Sequence, residues 1–394
     1  MTDCMIPNGY KKTSLGVIPQ EWEVKKICQI AEINPPKEKI ISQFVVFLSM
    51  SDISENGGII KENIVPQSSI KPGLTFYKKG DIIVAKITPC FENGKGALLN
   101  DISEDYGFGS TEFHVIRCKQ CNNQFIYYHT TSYAFRKRLE SQMTGSAGQK
   151  RVPADSISTY KIAIPPLPEQ QKIAEIISTW DKAIEKQSQL IEKLELRKKG
   201  LMQQLLTGKR RLPGFSDMWP ELKIKERVRI KKGEQVNKEF LYAKAKYPVI
   251  NGGITPSGYL NRYNTTANTI TISEGGNSCG YVNFMTTPFW SGGHCYTVDV
   301  KDEVNNLFVY QLLKYNEKYI MSLRVGSGLP NIQIKDLENL KLTFPSYQEQ
   351  TAIAQVLTVA DHEIDLAKQK LELLRQQKHG LMQQLLTGKK RVKH

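Results

Sequence analysis

The decapeptide GLMQQLLTGK stands at residues 200–209 and again, letter for letter, at residues 380–389 of a 394-residue chain. The two copies close a longer match at a constant offset of 180, in which residues 169–211 and 349–391 agree at 21 of 43 positions. Matched pairs include Glu169/Glu349, Gln170/Gln350, Ile173/Ile353, Ala174/Ala354, Asp181/Asp361 and Ile184/Ile364. A repeat of this kind admits few architectures, because each copy must build the same supersecondary unit. Fainter echoes precede each copy: GVIPQEW (16–22) and GFSDMW (214–219), GFGSTEFHVI (107–116) and PFWSGGHCYT (288–297), Gly145-Ser146 and Gly326-Ser327. Each half thus reads as a globular segment followed by a helical one. The expected division is 1–165 and 212–345 as related globular domains, with 166–211 and 346–394 as related helical regions. The globular parts differ far more than the helices do. Two domains doing one job on different targets, held by a shared scaffold, give this pattern.

In the first helical region, Ile173, Ile177, Trp180, Ile184, Ile191, Leu194, Leu201 and Leu205 recur at alternating spacings of four and three, with Gln187 and Lys198 in the gaps. The second region gives Ile353, Leu357, Ala360, Ile364, Ala367, Leu371, Leu374, Leu381 and Leu385, with Lys378 matching Lys198. This is a heptad seam. Pro168 reads as a start signal just before the first helix, and Gly208 and Gly388 read as stops. Each helix is expected to span about 38 residues, roughly 57 Å. Helices with matching seams are expected to pack on each other. If the ends of the second globular domain lie close together, as domain ends often do, the helices run antiparallel. The expectation is a rod with a globule at each end and approximate two-fold symmetry, the chain's ends meeting near Lys12 and Arg391. Gln203, Gln204 and Thr207, and their twins Gln383, Gln384 and Thr387, lie off the seam. Their identity reads either as shared ancestry or as a surface bound twice by the same partner.

The globular segments alternate short apolar strands (IIVAKITP, FHVIRC, TITIS, YTVDV) with Gly, Asn and Pro turns. Each adds a helix, expected over 124–139 and 305–321. The fold class is α+β: two mixed-sheet domains separated by two long helices in an antiparallel coiled coil. The chain carries 54 Lys+Arg against 39 Asp+Glu, a net charge of +15, which favours an acidic partner. The loops TPCFENGKG, GSAGQKR, SEGGNSCGY and GSGLPNIQ mix Gly, Lys, Asn, Ser and aromatics. That mixture suits double-stranded DNA: Lys and Arg take phosphates, Asn, Ser and Thr read base edges, and glycines let backbone amides approach. The candidate contacts are Lys86, Thr88, Asn93, Lys95, Ser110, Thr111, Lys150 and Arg151 in the first domain. In the second they are Ser273, Asn277, Tyr281, Ser291, His294, Ser327 and Asn331.

Motifs for other chemistries fail in particular ways. Asn34-Pro35-Pro36-Lys37 resembles the N/DPP(Y/F) motif of amino-methyltransferases, but Lys37 replaces the base-stacking aromatic and no Gly-rich cofactor loop stands nearby. Walker A, HExxH and GxSxG are absent. Asp217 with Glu221 and Lys223 is too tightly spaced for a nuclease triad. Cys118 and Cys121 have the spacing of half a zinc site, with no second pair and no histidines at ligand spacing. Seven cysteines in a long chain argue against a disulfide framework. No apolar run reaches the roughly 20 residues that span a bilayer, and the N-terminus lacks a signal-peptide core. A cytoplasmic location is expected, with no membrane, metal or catalytic site.

IPPLPEQQKIAEIIS and FPSYQEQTAIAQVL at the helix starts, LMQQLLTGK at both helix ends and the GxIPxxW entry resemble the specificity (S) subunits of type I restriction–modification systems. The likeness runs over nearly the whole chain. It implies two target-recognition domains reading a bipartite, asymmetric DNA site across a fixed gap. It also implies two modification (methyltransferase) subunits and restriction subunits as partners. By the same resemblance this chain is non-catalytic and binds no cofactor, S-adenosylmethionine, ATP and Mg being expected on the partners. The alternatives are an architectural or regulatory coiled-coil DNA binder without such partners, and a stand-alone methyltransferase or nuclease.

Overall fold

The computed structural model describes residues 6–392 apart from positions 56, 147, 327 and 329. They fall into two compact units, one of residues up to 186 together with those from 371, the other of residues 187–370. The α+β class is as expected.

In the first unit, strands Ile82–Ala85 and Phe113–Cys118 pair antiparallel, with Ala85 opposite Phe113. Ala31–Ile33 and Gly96–Leu98 flank them to complete a four-stranded sheet. Ile82–Ala85 is buried at every position, which is why it reads as an unbroken apolar run. A second four-stranded sheet orders Asn63–Pro66, Phe44–Leu48, Tyr106–Gly109 and Thr75–Lys78. It is mixed, since Phe44–Leu48 runs parallel to Tyr106–Gly109 and antiparallel to Asn63–Pro66. The single helix expected over 124–139 is two, Asn123–Thr131 and Tyr133–Glu140. Ser132 takes an extended backbone between them, and its side chain accepts from Phe135 N, capping the second.

The second unit repeats this plan. Thr269–Ser273 and Cys295–Val300 pair with Ser273 opposite Cys295, flanked by Val228–Lys232 and Val282–Met285. The companion sheet has three strands, with Tyr247–Ile250 parallel to Trp290–Ser291 and antiparallel to Gly258–Leu260. The helix expected over 305–321 breaks at Asn316 into Asn306–Tyr315 and Glu317–Ser322.

The two long helices are Leu167–Leu205 and Tyr347–Leu385, 39 residues each. Pro168 lies inside the first turn rather than before it; its missing N–H is no loss there. Within the first unit, Glu169 meets Arg391 and Asp181 meets Lys378. Within the second, Gln187 donates to Ala367 O, Lys198 meets Asp361, and Arg211 meets Glu349. Partner numbers fall as residue numbers rise, so the helix segments in each unit run antiparallel. The lysines in the seam's gaps therefore reach aspartates across the pair. The Glu169–Arg391 and Asp181–Lys378 pairs each have a twin at an offset of 180, Glu349–Arg211 and Asp361–Lys198.

The decapeptides leave the coil seam and enter the globular cores. Leu201 and Leu381 are half-buried, while Met202, Leu205 and Leu206 join the core of the second unit and Met382, Leu385 and Leu386 that of the first. A two-helix seam ends where a third surface becomes available, and here that surface includes a tryptophan in each unit. Glu169, fully buried, accepts from Trp22 Nε1 at 3.0 Å and from Arg391 Nε and Nη2 at 2.6 and 2.9 Å. Glu349 accepts from Trp219 Nε1 and Arg211 in the same way. Gly208 and Gly388 end the helices in the left-handed region at φ +69° and +70°. A Cβ at Gly388 would stand 2.4 Å from Pro19 Cδ. The buried Gln170 and Gln350 join each helix start to the preceding domain, accepting from Asn122 N and Asn305 N.

Candidate nucleic-acid interface

In each unit three loops are tied together where the central strand pair ends. In the first, Lys86 N donates to Glu112 O, Val152 N to Lys86 O and Thr88 N to Lys150 O, while Thr144 and Arg151 exchange both backbone bonds. In the second, Glu274 N donates to His294 O, Ile332 N to Glu274 O and Gly276 N to Pro330 O, while Val325 and Asn331 exchange both bonds. The backbone frame is the same, so Lys86, Glu112 and Arg151 stand where Glu274, His294 and Asn331 stand. Even the residue beneath is matched: His114 Nε2 lies 2.8 Å from Val152 O, and Tyr296 OH donates to Ile332 O at 3.0 Å.

The side chains on the two frames differ. Arg151 is exposed and donates from Nε and Nη2 to the Glu112 carboxylate at 2.9–3.2 Å and from Nη1 to Gln149 O at 3.2 Å. Those hydrogen bonds hold the Glu112 carboxyl below its usual range despite partial burial. Glu274 accepts from Lys232 Nζ at 2.5 Å and Tyr296 OH at 3.0 Å, and its second oxygen faces His294 Nδ1 at 3.3 Å. Asn331 is exposed, and its carbonyl accepts from Gln333 Nε2 at 3.0 Å.

The expected contacts divide on this geometry. Thr111, Lys150, Arg151, Asn277, His294 and Asn331 are exposed around the loops, and Lys86 and Thr88 are half-buried beside them. Lys95 Nζ is held by Met50 O and Asn93 Nδ2 by Glu55. Ser110 Oγ accepts from Glu112 N, and Tyr281 lies under the Lys314 ammonium. Ser273 and Ser291 are buried instead of exposed, and Ser273 Oγ donates to Gly252 O, so Ser273 serves the loop from beneath. Ser327 lies outside the described residues. Glu112 and Glu274 are the residues that sequence reasoning missed. A search led by basic and amide side chains passes over carboxylates, and only their place next to strand ends in both repeats marks them.

Residues 19–196 and 216–376 match the model of a family described as the type I restriction modification DNA specificity domain. The chain belongs to this family. The type I restriction enzyme EcoAI specificity subunit of Escherichia coli is 41% identical over 160 residues, 40% of this chain and 27% of that protein. The EcoEI specificity subunit, also of Escherichia coli, is 39% identical over 169 residues, 28% of its length. The chain thus aligns with little more than a quarter of either. The putative MjaX specificity subunit of Methanocaldococcus jannaschii is 29% identical, with 98% of this chain and 97% of that protein aligned. Among solved structures, the S subunit of a type I restriction–modification system from M. genitalium has the same fold. Its TM-score is 0.63 over 97% of this chain and 98% of that one, at 19% identity.

Within a specificity-family fold the remaining motifs find structural explanations. Asn34 takes a left-handed φ of 50°. Its Oδ1 accepts from Val115 N at 2.9 Å, and its Nδ2 lies 3.1 Å from His114 Nδ1. Since Val152 O only accepts, His114 carries its proton on Nε2 and accepts from Asn34 through Nδ1. Burial, the largest influence on His114, lowers its pKa and so favours this neutral form. The NPPK stretch is thereby a strand-end clamp. Glu221 and Lys223 belong to a strand paired with Lys341–Thr343. Cys118 and Cys121 are free thiols, and Cys121 Sγ faces Ile30 O. Among the described residues no three His, Cys, Asp or Glu side chains gather as a metal site requires, and no helix is long and apolar enough to cross a membrane. Gln203, Gln204 and Thr207, like Gln383, Gln384 and Thr387, are exposed, and each threonine hydroxyl donates back to the glutamine carbonyl four residues earlier.

Proposed function

We propose that the chain is the DNA-reading, non-catalytic subunit of a type I restriction–modification complex, working in the cytoplasm. The observation that carries this reading is the pair of identical backbone frames bearing different exposed side chains, one in each unit of a chain of this family. Each frame reads one half of a bipartite DNA site. The antiparallel helices set the gap, with half-sites about one helical turn apart, roughly 34 Å. Lys86, Thr88, Lys150 and Arg151 in the first domain and Asn277, His294 and Asn331 in the second face the duplex. The net charge of +15 supports a polyanionic target. The twin Gln203/Gln204/Thr207 and Gln383/Gln384/Thr387 faces dock two modification subunits, which supply S-adenosylmethionine chemistry. Restriction subunits bring ATP and Mg.

The test is co-expression with a modification subunit in a methylation-free host, followed by mapping of methylated adenines. The expected result is one asymmetric two-part motif with a fixed spacer. Methylation without this chain, or none with it, rejects the reading and leaves an architectural DNA binder. Replacing Gln203, Gln204, Gln383 and Gln384 together by alanine should reduce assembly while leaving the thermal melt in place. Unchanged assembly would make the twin faces a matter of ancestry.

A further inference from the structure

Resting on that reading, we infer which side chains read bases and which bases they read. Arg151, buttressed by Glu112, takes a guanine in one half-site; Asn331, beside His294 and Glu274, takes an adenine in the other.

Three observations carry this. The first is positional. The loops around Arg151 and Asn331 share every backbone bond of the frame, from Lys86 N to Glu112 O and from Glu274 N to His294 O onward. A frame that is constant while its exposed side chains change is what two domains with different targets require.

The second is the state of Arg151. Its guanidinium has five N–H groups. Glu112 takes those on Nε and one on Nη2, and Gln149 O takes one on Nη1. Two remain, one on each terminal nitrogen, the number that guanine O6 and N7 accept together. An arginine kept for phosphate gains nothing from a carboxylate held against it, since the pair is neutral and releases no counterion. A base-reading arginine gains a fixed orientation.

The third is the second domain's set. The Glu274 carboxylate is already engaged by Lys232, Tyr296 and His294, so it presents little free negative charge to DNA. Asn331 stands at Arg151's position with Gln333 behind its carbonyl. A carboxamide is the group that pairs with adenine N6 and N7.

The experiment selects sequences bound by the full-length chain from a duplex pool with both half-sites randomised, using wild type, R151A, E112Q and N331A. In the wild type, the expected result is a two-part motif. R151A and E112Q should both relax one guanine position in one half-site. N331A should relax one adenine position in the other. At the relaxed position the preference should fall by about 5- to 150-fold, the worth of one bidentate contact, with the loss confined to that position. The untouched half-site serves as the folding control, so a variant that merely unfolds loses both halves and a normal melt; the other two variants then decide. Uniform weakening across all sequences, with the salt slope lowered by about one, would make these residues phosphate contacts and overturn the assignment. So would relaxation at a different base. A wild-type chain that selects no motif would instead reject the function proposed above.

Discussion

Arg391→Ala is the sharpest test of how the first unit is held closed. Glu169 is fully buried and takes three hydrogen bonds, two from Arg391 and one from Trp22. Removing the cation leaves a buried carboxylate with one neutral donor. Breaking a buried pair in this way costs about 3–5 kcal/mol. Trp22 Nε1 stays, and the Arg391 side chain is 31% exposed, so the lower end applies, about 3 kcal/mol. That is about 140-fold in an opening equilibrium. Amide exchange on the full chain should show it at residues 16–29 and 161–180, where the helix start and the Trp22 strand-turn meet. The mechanism also fixes a second result. In Glu169→Gln/Arg391→Ala the uncompensated charge is gone, so the double variant should recover more than half of the loss. Arg211→Ala should repeat the effect around Trp219 and Glu349 in the second unit. An exchange rate raised less than fivefold in Arg391→Ala, or a double variant as weak as the sum of its parts, would refute the buried-charge argument and leave only side-chain packing.

Three further outcomes follow from single sites. Asn34→Ala removes the acceptor for Val115 N and the donor to His114 and leaves alanine at φ 50°, so urea melts should show a loss of about 2–3 kcal/mol. Burial pushes His129 down to about 3, and it has no hydrogen-bond partner at Nε2. The unfolded chain therefore binds this proton from about pH 6.5 and the folded one only near pH 3. Stability is complete above pH 6.5 and falls by up to about 1.4 kcal/mol per unit below it, and His129→Phe should flatten that slope in melts at pH 7, 6 and 5. Gly200 and Gly380 sit in helix with nothing within 4 Å of the point where an alanine methyl would stand, so alanine at each should add about 0.5–1 kcal/mol to thermal stability.

The long helices and central strands were legible because their signals are local and periodic: the four-three spacing from Ile173 onward, and apolar runs such as Ile82–Ala85. The antiparallel direction followed from connectivity alone. Other features depend on contacts that sequence separation hides. Glu169 and Arg391 are 222 residues apart, and nothing in either neighbourhood marks them as partners. The decapeptide's seam reading placed Leu201 inside, yet Met202 and Leu206 take that place because the helix end packs on a globular core. At the interface, exposure turns on a single position of register. Cys295 is opposite Ser273 within the ladder and buried, while His294, the residue before it, lies on the frame and is exposed. Composition can nominate such a loop but not say which of two neighbours faces out.

The repeated decapeptide now divides by cause. Met202, Leu205, Leu206 and Gly208, with their twins, are held by contacts inside the chain: they fill a core and turn beside a tryptophan. Thr207 is held locally by its bond to Gln203 O. Gly200, Gln203 and Gln204 have no such account. The glutamines are exposed, and a helical glycine with open space around it costs stability for no gain within the chain. All three recur at 380, 383 and 384. What a helical glycine beside open space does offer is close approach by another backbone. Contacts inside the chain thus leave unexplained the face proposed above for the modification subunits, and the glycines separate two readings by sign. If Gly200→Ala and Gly380→Ala raise the melt and leave assembly intact, the glycines are inherited. If they raise the melt and weaken assembly, the stability forgone in the free chain is the cost of the docking surface.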